Sequence, residues 1–259
     1  MANFETPVST YMSTPIVAIR SKDSLTAARR SLADHDVSAL PVVDEKDRVV
    51  GVISRTDLLR VGRRDAGSRQ GSPLLTLPDR KVADDMTQNV AVVPSHTSLA
   101  ETAKKMVQER IHRVVVTEGD VPVGVLSTLD LMRVIRDKRV NYPISDIMSS
   151  PLFTVRASEP LSLATDRLAK ARVTGLVVVD EDWPVGVFTQ EEALDAGSLP
   201  RDTPVEEAMS PAILILDART PVHRAAAQAG ALHARRVIVS KDGEPVGIVS
   251  GLDFASLVS

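Results

Sequence analysis

Four times along its length the chain writes a glycine, two apolar residues, a hydroxyl, two spacers and a carboxylate. The copies are Gly51-Val-Ile-Ser54-Arg-Thr-Asp57, Gly124-Val-Leu-Ser127-Thr-Leu-Asp130, Gly186-Val-Phe-Thr189-Gln-Glu-Glu192 and Gly247-Ile-Val-Ser250-Gly-Leu-Asp253. Each follows a methionine that is itself followed by a hydroxyl: Met12-Ser13, Met86-Thr87, Met148-Ser149 and Met209-Ser210. From methionine to glycine the steps are 39, 38, 38 and 38 residues. A register held this closely over the whole chain means four tandem structural units, each too small to bury a core alone.

The remaining composition narrows the class. At 259 residues with 43% apolar and 25% charged, the chain is sized for two domains of two units each. A formal charge of −3 argues against a wholly basic nucleic-acid binder, and the absence of cysteine removes disulfides, thiolate chemistry and cysteine metal sites. The start, Met1-Ala-Asn-Phe-Glu-Thr-Pro7, has no basic segment followed by an apolar run, and no stretch approaches the ~18 apolar residues of a membrane helix. A cytoplasmic location without a membrane partner is expected.

Within a unit, periodicity predicts a short strand after the methionine, at residues 16–19, 90–93, 152–155 and 213–216. A helix follows, because Leu25, Ala28 and Leu32, like Leu99, Ala103 and Met106 or Leu161, Ala164 and Leu168, recur at helical steps. Ser24, Ser98, Ser158 and Thr220 sit close to these helix starts. Two strands joined by a polar turn such as Asp44-Glu-Lys-Asp47 or Lys241-Asp-Gly-Glu244 read as a hairpin, and the last hydroxyl opens a second helix. The unit is strand, helix, strand, strand, helix, an α/β (α+β) pattern.

This order, the Met-Ser/Thr start and the Gly-x-x-Ser/Thr-x-x-Asp end together resemble the CBS domain family from about Val8 onward. The resemblance implies four repeats paired into two Bateman modules in a disc-like assembly, similar in organisation to the γ subunits of AMP-activated kinases. The expected boundaries are 8–61, 80–138, 139–198 and 199–259 for the repeats. Residues 62–79 form a flexible loop rich in arginine, glycine and serine between the first two.

The Ser-x-x-Asp signature is first a helix cap: the hydroxyl accepts from a backbone N–H and the carboxylate suits the positive helix end. A carboxylate also has two acceptor oxygens suited to the hydroxyls of a ribose. In many members of the family this acid holds the ribose, so the resemblance makes Asp57, Asp130, Asp253 and Glu192 the ribose acids. Glu192, longer by a methylene and following Glu191, ranks last. Ser54, Thr56, Ser127, Thr189 and Ser250 face a phosphate in this reading, and Ile16, Val90, Leu152 and Ile213 flank the adenine.

Just before the second strand, the even repeats carry His112-Arg113 and Arg235-Arg236 where the odd ones have Ser38-Ala39 and Thr174-Gly175. A planar guanidinium suits phosphate, and histidine adds a donor whose charge depends on pH. The kinase γ subunits have a similar His-Arg pair in their second and fourth repeats. By that resemblance His112, Arg113, Arg235 and Arg236 are phosphate ligands, although Arg235 stands where those proteins have histidine.

His35, His96, His112, His223 and His233 show no metal-binding spacing, and no nucleophile elbow is present. No catalytic residue, metal or catalytic cofactor is expected. The favoured reading is a stand-alone regulatory sensor that takes an adenine nucleotide (AMP, ADP or ATP) as regulatory ligand and signals to an unidentified protein or ribonucleoprotein target, with a homodimer open. Two alternatives stay open: an interaction protein docking on a ribosome, a kinase or nucleic acid through Arg60, Arg63, Arg64 and Arg69, or a binder of S-adenosylmethionine or a cyclic dinucleotide. Few aromatic residues are available for base stacking, which weighs against RNA contact.

Overall fold

A computed structural model describes residues 3–65, 71–234 and 236–259, and the side chains of all of these except 63–65. The side chains of Arg63, Arg64, Arg69 and Arg235 lie outside the described part, as do residues 66–70 of the loop expected over 62–79; of the rest of that stretch, residues 62–65 are helical and Leu74 and Leu75 are buried.

The four-fold order expected from the sequence is present. The first repeat contains β1 (Ile19–Arg20), α1 (Leu25–Asp34), β2 (Ala39–Val43), β3 (Val49–Ser54) and α2 (Arg55–Asp65). The second opens with a short helix, α3 (Val82–Asp85), then β4 (Val92–Pro94), α4 (Leu99–Glu109), β5 (Arg113–Glu118), β6 (Val121–Ser127) and α5 (Thr128–Asp137). The third has β7 (Thr154–Arg156), α6 (Leu161–Ala171), β8 (Gly175–Asp180), β9 (Trp183–Thr189) and α7 (Gln190–Asp195). The fourth has β10 (Ile215–Asp217), α8 (Val222–Ala231), β11 (Arg236–Lys241), β12 (Glu244–Ser250) and α9 (Gly251–Ser256).

Each repeat forms a three-stranded sheet in which the first strand runs parallel to the second and the second antiparallel to the third. The crossover helix joins the parallel pair and covers the sheet with its apolar stripe, as Leu25, Ala28 and Leu32 do in α1. Ser24 and Ser98 cap α1 and α4, each accepting from a backbone N–H at 3.1 Å. Ser158 and Thr220 do not cap: α6 and α8 start behind Pro160 and Pro221 with no side-chain cap bond.

The first strands begin two to three residues later than periodicity predicts, at Ile19, Val92, Thr154 and Ile215. The reason is that the lead-in to each repeat first pairs with a different repeat. Ser13 bridges Val125, Thr87 bridges Val52, Ser149 bridges Ile248 and Ser210 bridges Val187. Only after this does the chain turn to its own sheet. Lead-ins are therefore exchanged between the first and second repeats and between the third and fourth.

Two compact units result. Unit one comprises residues 1–16, 90–152 and 214–259, and unit two residues 17–89 and 153–213. In unit one α5 packs on α8 and α9, and α4 on α9. Its core joins Leu99, Met106, Leu131 and Ile135 of the second repeat to Val222, Ala225, Ala229 and Phe254 of the fourth. The small residues Ala225, Ala226 and Ala229 form the buried stripe of α8. In unit two α2 packs on α7, and Leu25, Leu40, Ile53 and Leu58 of the first repeat share a core with Leu161, Leu176, Phe188 and Leu194 of the third.

Candidate functional site

In every repeat the motif carboxylate caps its own helix. One oxygen of Asp57 accepts from the Ser54 N–H at 3.0 Å and the Ser54 hydroxyl at 2.6 Å. Asp130 does the same with Ser127 at 2.8 and 2.7 Å, and Asp253 with Ser250 at 2.7 Å for both. Glu192 accepts from the Thr189 N–H at 2.8 Å and from its hydroxyl. These bonds fix one oxygen of each acid and so orient the other.

That other oxygen faces a lead-in hydroxyl from the tandem neighbour. Ser13 Oγ lies 3.4 Å from Asp130 Oδ1, Thr87 Oγ1 3.4 Å from Asp57 Oδ1 and Ser149 Oγ 3.5 Å from Asp253 Oδ1. Such contacts are at the long limit of hydroxyl hydrogen bonding, so each outer oxygen is only loosely held from that side. Glu192 departs from the pattern, because Ser210 accepts from the Ala212 N–H at 3.3 Å instead. Asp57 and Asp130 are buried, Asp253 and Glu192 half-buried.

Two further side chains reach the outer oxygens. Arg60 Nη2 lies 2.9 Å from Asp57 Oδ1, and Arg133 Nη1 3.3 Å from Asp130 Oδ1. Arg133 also stands 5.9 Å over the ring of Tyr11 on the lead-in, a cation–π distance. Burial raises the Tyr11 phenol, and Asp137, which accepts its hydroxyl at 3.3 Å, raises it further. Sequence reasoning passed over Arg133 and gave the lead-in hydroxyls no site role. The signal for the first was present as Asp-x-x-Arg in two repeats.

The motif glycine explains the fixed methionine. A Cβ on Gly124 would lie 2.6 Å from Met12 Sδ, and one on Gly247 2.7 Å from Met148 Sδ; Gly51 meets Met86 and Gly186 meets Met209 in the same way. Each glycine thus admits the methionine of its tandem neighbour, and in three of the four cases the following hydroxyl lies against the acid.

The expected phosphate-side residues fall into two groups. The hydroxyls of Ser54, Ser127, Thr189 and Ser250 are given to the motif acids, and that of Thr56 to Gln190 Oε1 at 3.0 Å. Arg113 pairs across the ladder with Ser127, and Arg236 with Ser250. Directly opposed residues share a sheet face, so both arginines stand on the face of the cap hydroxyl. His112 is half-buried, and its carbonyl accepts the Thr128 N–H at 3.0 Å. The odd repeats have Ala39 opposite Ser54 and Gly175 opposite Thr189. His112, Arg113 and Arg236 all belong to unit one.

Ile16, Val90, Leu152 and Ile213 are half-buried and lie where the chain leaves one unit for the other. Among the described residues no His, Cys, Asp and Glu group is arranged to hold a metal, and no helix is long and apolar enough to cross a membrane.

The sequence profile of the CBS domain matches four times, at residues 8–64, 82–137, 144–199 and 205–259. Over 189 residues the chain is 26% identical to an uncharacterised 33.4 kDa protein in the ribosomal RNA operon of Thermofilum pendens, covering 68% of this chain and 58% of that protein. It thus spans a little over half of that relative's length. It is 20% identical over 210 residues to the uncharacterised protein MJ1225 of Methanocaldococcus jannaschii, covering 75% of this chain and 71% of the other. The crystal structure of MJ1225, described as a candidate archaeal homologue of γ-AMPK, superposes with a TM-score of 0.83 at 16% identity, covering 98% of this chain and 100% of that one. At that identity the likeness speaks for the fold.

Proposed function

We propose a function from one established premise: the chain belongs to the CBS domain family, whose profile it matches in all four repeats. It is a regulatory sensor that binds an adenine nucleotide at the motif acids and passes occupancy to a partner protein. One observation carries this reading. Three of the four acids have one oxygen fixed by the helix cap while the second faces a lead-in hydroxyl at 3.4–3.5 Å, joined on Asp57 by Arg60 and on Asp130 by Arg133. That is a pre-oriented acceptor for a ribose hydroxyl pair.

The chemistry follows from the same geometry. The ribose hydroxyls replace the lead-in serine or threonine at the outer oxygen, and in unit one Arg113 and Arg236 neutralise the phosphate. No proton transfer or covalent step is required, so the chain is not read as an enzyme. Because each lead-in belongs to the tandem neighbour, a ligand that competes with it acts on two repeats at once. Signalling is then a population shift, limited to the difference in ligand affinity between the two arrangements.

The test is a thermal shift and calorimetric titration with AMP, ADP, ATP, S-adenosylmethionine and cyclic di-AMP. A ligand at a hundred times its dissociation constant adds about 2.7 kcal/mol of stability, a visible rise in melting temperature. Asp130→Ala together with Asp253→Ala is expected to remove binding in unit one while losing about 1 kcal/mol per cap. A folded double variant that binds the same ligand with undiminished stoichiometry sinks the assignment.

A further inference from the structure

The two units differ in charge at the junction where the second helices of their repeats begin. In unit one the meeting residues are Thr128 and Gly251, packed so closely that a Cβ on Gly251 would overlap the Thr128 side chain. In unit two the same motif positions are Arg55 and Gln190. The Arg55 side chain is only 6% exposed, its guanidinium binds Glu191 of the third repeat, and it stands 3.6 Å from Asp36 Oδ1. Beside it Thr56, one of the expected phosphate ligands, gives its hydroxyl to Gln190.

The surroundings reinforce the contrast. Near this junction unit two carries Glu191, Glu192, Asp36 and Asp57 against Arg55 and Arg60, whereas unit one carries Asp130 and Asp253 against His112, Arg113, Arg133 and Arg236. A phosphate entering beside Ser54 or Thr189 in unit two approaches two glutamates. The buried guanidinium there is already paired with Glu191 and close to Asp36, so an incoming anion has to share it with two carboxylates that stand part-exposed at the same entrance.

We infer that the Arg55–Glu191 pair makes unit two select adenosine ligands that carry no phosphate charge, leaving phosphorylated ligands to unit one. Glu191 occupies Arg55 as an internal substitute for the phosphate. This rests on the sensor reading above and adds to it the ligand class of each unit.

The experiment titrates adenosine and AMP by calorimetry into the full chain carrying Asp130→Ala and Asp253→Ala, so that unit two reports alone, with and without Glu191→Gln. The expected result is adenosine bound about tenfold or more tightly than AMP. Glu191→Gln then improves AMP by about tenfold, the size expected for one like charge removed at close range, and leaves adenosine unchanged. In the otherwise wild-type chain, Glu191→Gln alone raises the number of AMP molecules bound but not of adenosine, a readout that survives if the double variant does not fold. Equal affinity for the two ligands in unit two, an unaltered ratio in folded Glu191→Gln, or no binding of either ligand to the double variant overturns the inference. Failure of both ligands to bind the wild-type chain instead removes the sensor reading itself.

Discussion

The motif glycine and the methionine packed against it show how little room a single residue leaves. All three of the nearest heavy atoms to a Cβ on Gly51 belong to the Met86 side chain. Gly51→Ala is therefore expected to cost about 1–3 kcal/mol, the range for overpacking a filled interior. Met86→Ala removes the obstacle, so chemical denaturation of both singles and the double is expected to show strong non-additivity, with Gly51→Ala nearly harmless once Met86 is gone. Additive losses would mean that the glycine is needed for another reason. Glycine and methionine were legible in the sequence as fixed marks, each methionine 38 or 39 residues before the glycine of its own repeat. Their contact was not, because Met12 meets Gly124 and Met86 meets Gly51; spacing inside a repeat carries no information about exchange between repeats. The acids were legible for the same reason as the glycines. Arg55 was not, since a spacer residue gains meaning only from the Glu191 it meets across 136 positions.

Among the elements, helix starts that look alike in sequence behave differently. Ser98 accepts the Glu101 N–H, whereas α6 begins behind Pro160 with no side-chain cap. Ser98→Ala is expected to lose about 1 kcal/mol and Ser158→Ala almost nothing, measured as urea midpoints at unchanged slope. What fixes the start of α6 is Glu159. It accepts the Arg156 N–H at 2.9 Å and two bonds from Arg167 at 2.6 and 3.0 Å, tying the end of β7 to the helix. Burial pushes the Glu159 carboxyl up, but the Arg156 N–H, the Arg167 hydrogen bond and the charges of Arg167 and Arg156 outweigh it and hold it below its ordinary value. A carboxyl lowered on folding stabilises the folded chain above its ordinary value, near 4.3, and loses that contribution as pH falls through the folded one. Glu159→Gln is expected to cost about 1 kcal/mol at pH 7 and progressively less as the pH drops below about 4. A cost that stays constant from pH 7 to pH 3 would assign the effect to shape and not to charge. The local pattern showed these helices because apolar residues recur at helical steps. It could not show which of two neighbouring polar residues, Ser158 or Glu159, does the fastening.

At the scale of the whole molecule, two kinds of pairing divide the repeats differently. Lead-ins are exchanged between the first and second repeats and between the third and fourth, whereas the cores join the second to the fourth and the first to the third. The repeated motif announced the first pairing by tandem order. The second was recorded only as excess apolar surface: α5 buries Leu131, Met132, Val134 and Ile135, more than one stripe, because α8 and α9 both pack on it. A helix that is apolar over so much of its circumference requires more than its own sheet, but no single sequence says which partner supplies the cover. The consequence is a prediction about cutting the chain. Residues 1–138 and 139–259 each keep their lead-in exchange but lose half of both cores. Each fully buried leucine or isoleucine exposed by the cut forfeits about 1.5–3 kcal/mol, so neither half is expected to persist as a monomer at micromolar concentration. Each half alone should self-associate through the same faces, and the two mixed should form a one-to-one complex, read by sedimentation velocity and light scattering. Two monomeric halves that ignore each other, each melting near the temperature of the intact chain, would show that the cores do not need both halves. The tandem pairs would then be the folding units, with the contacts of α5 on α8 and α9 contributing little.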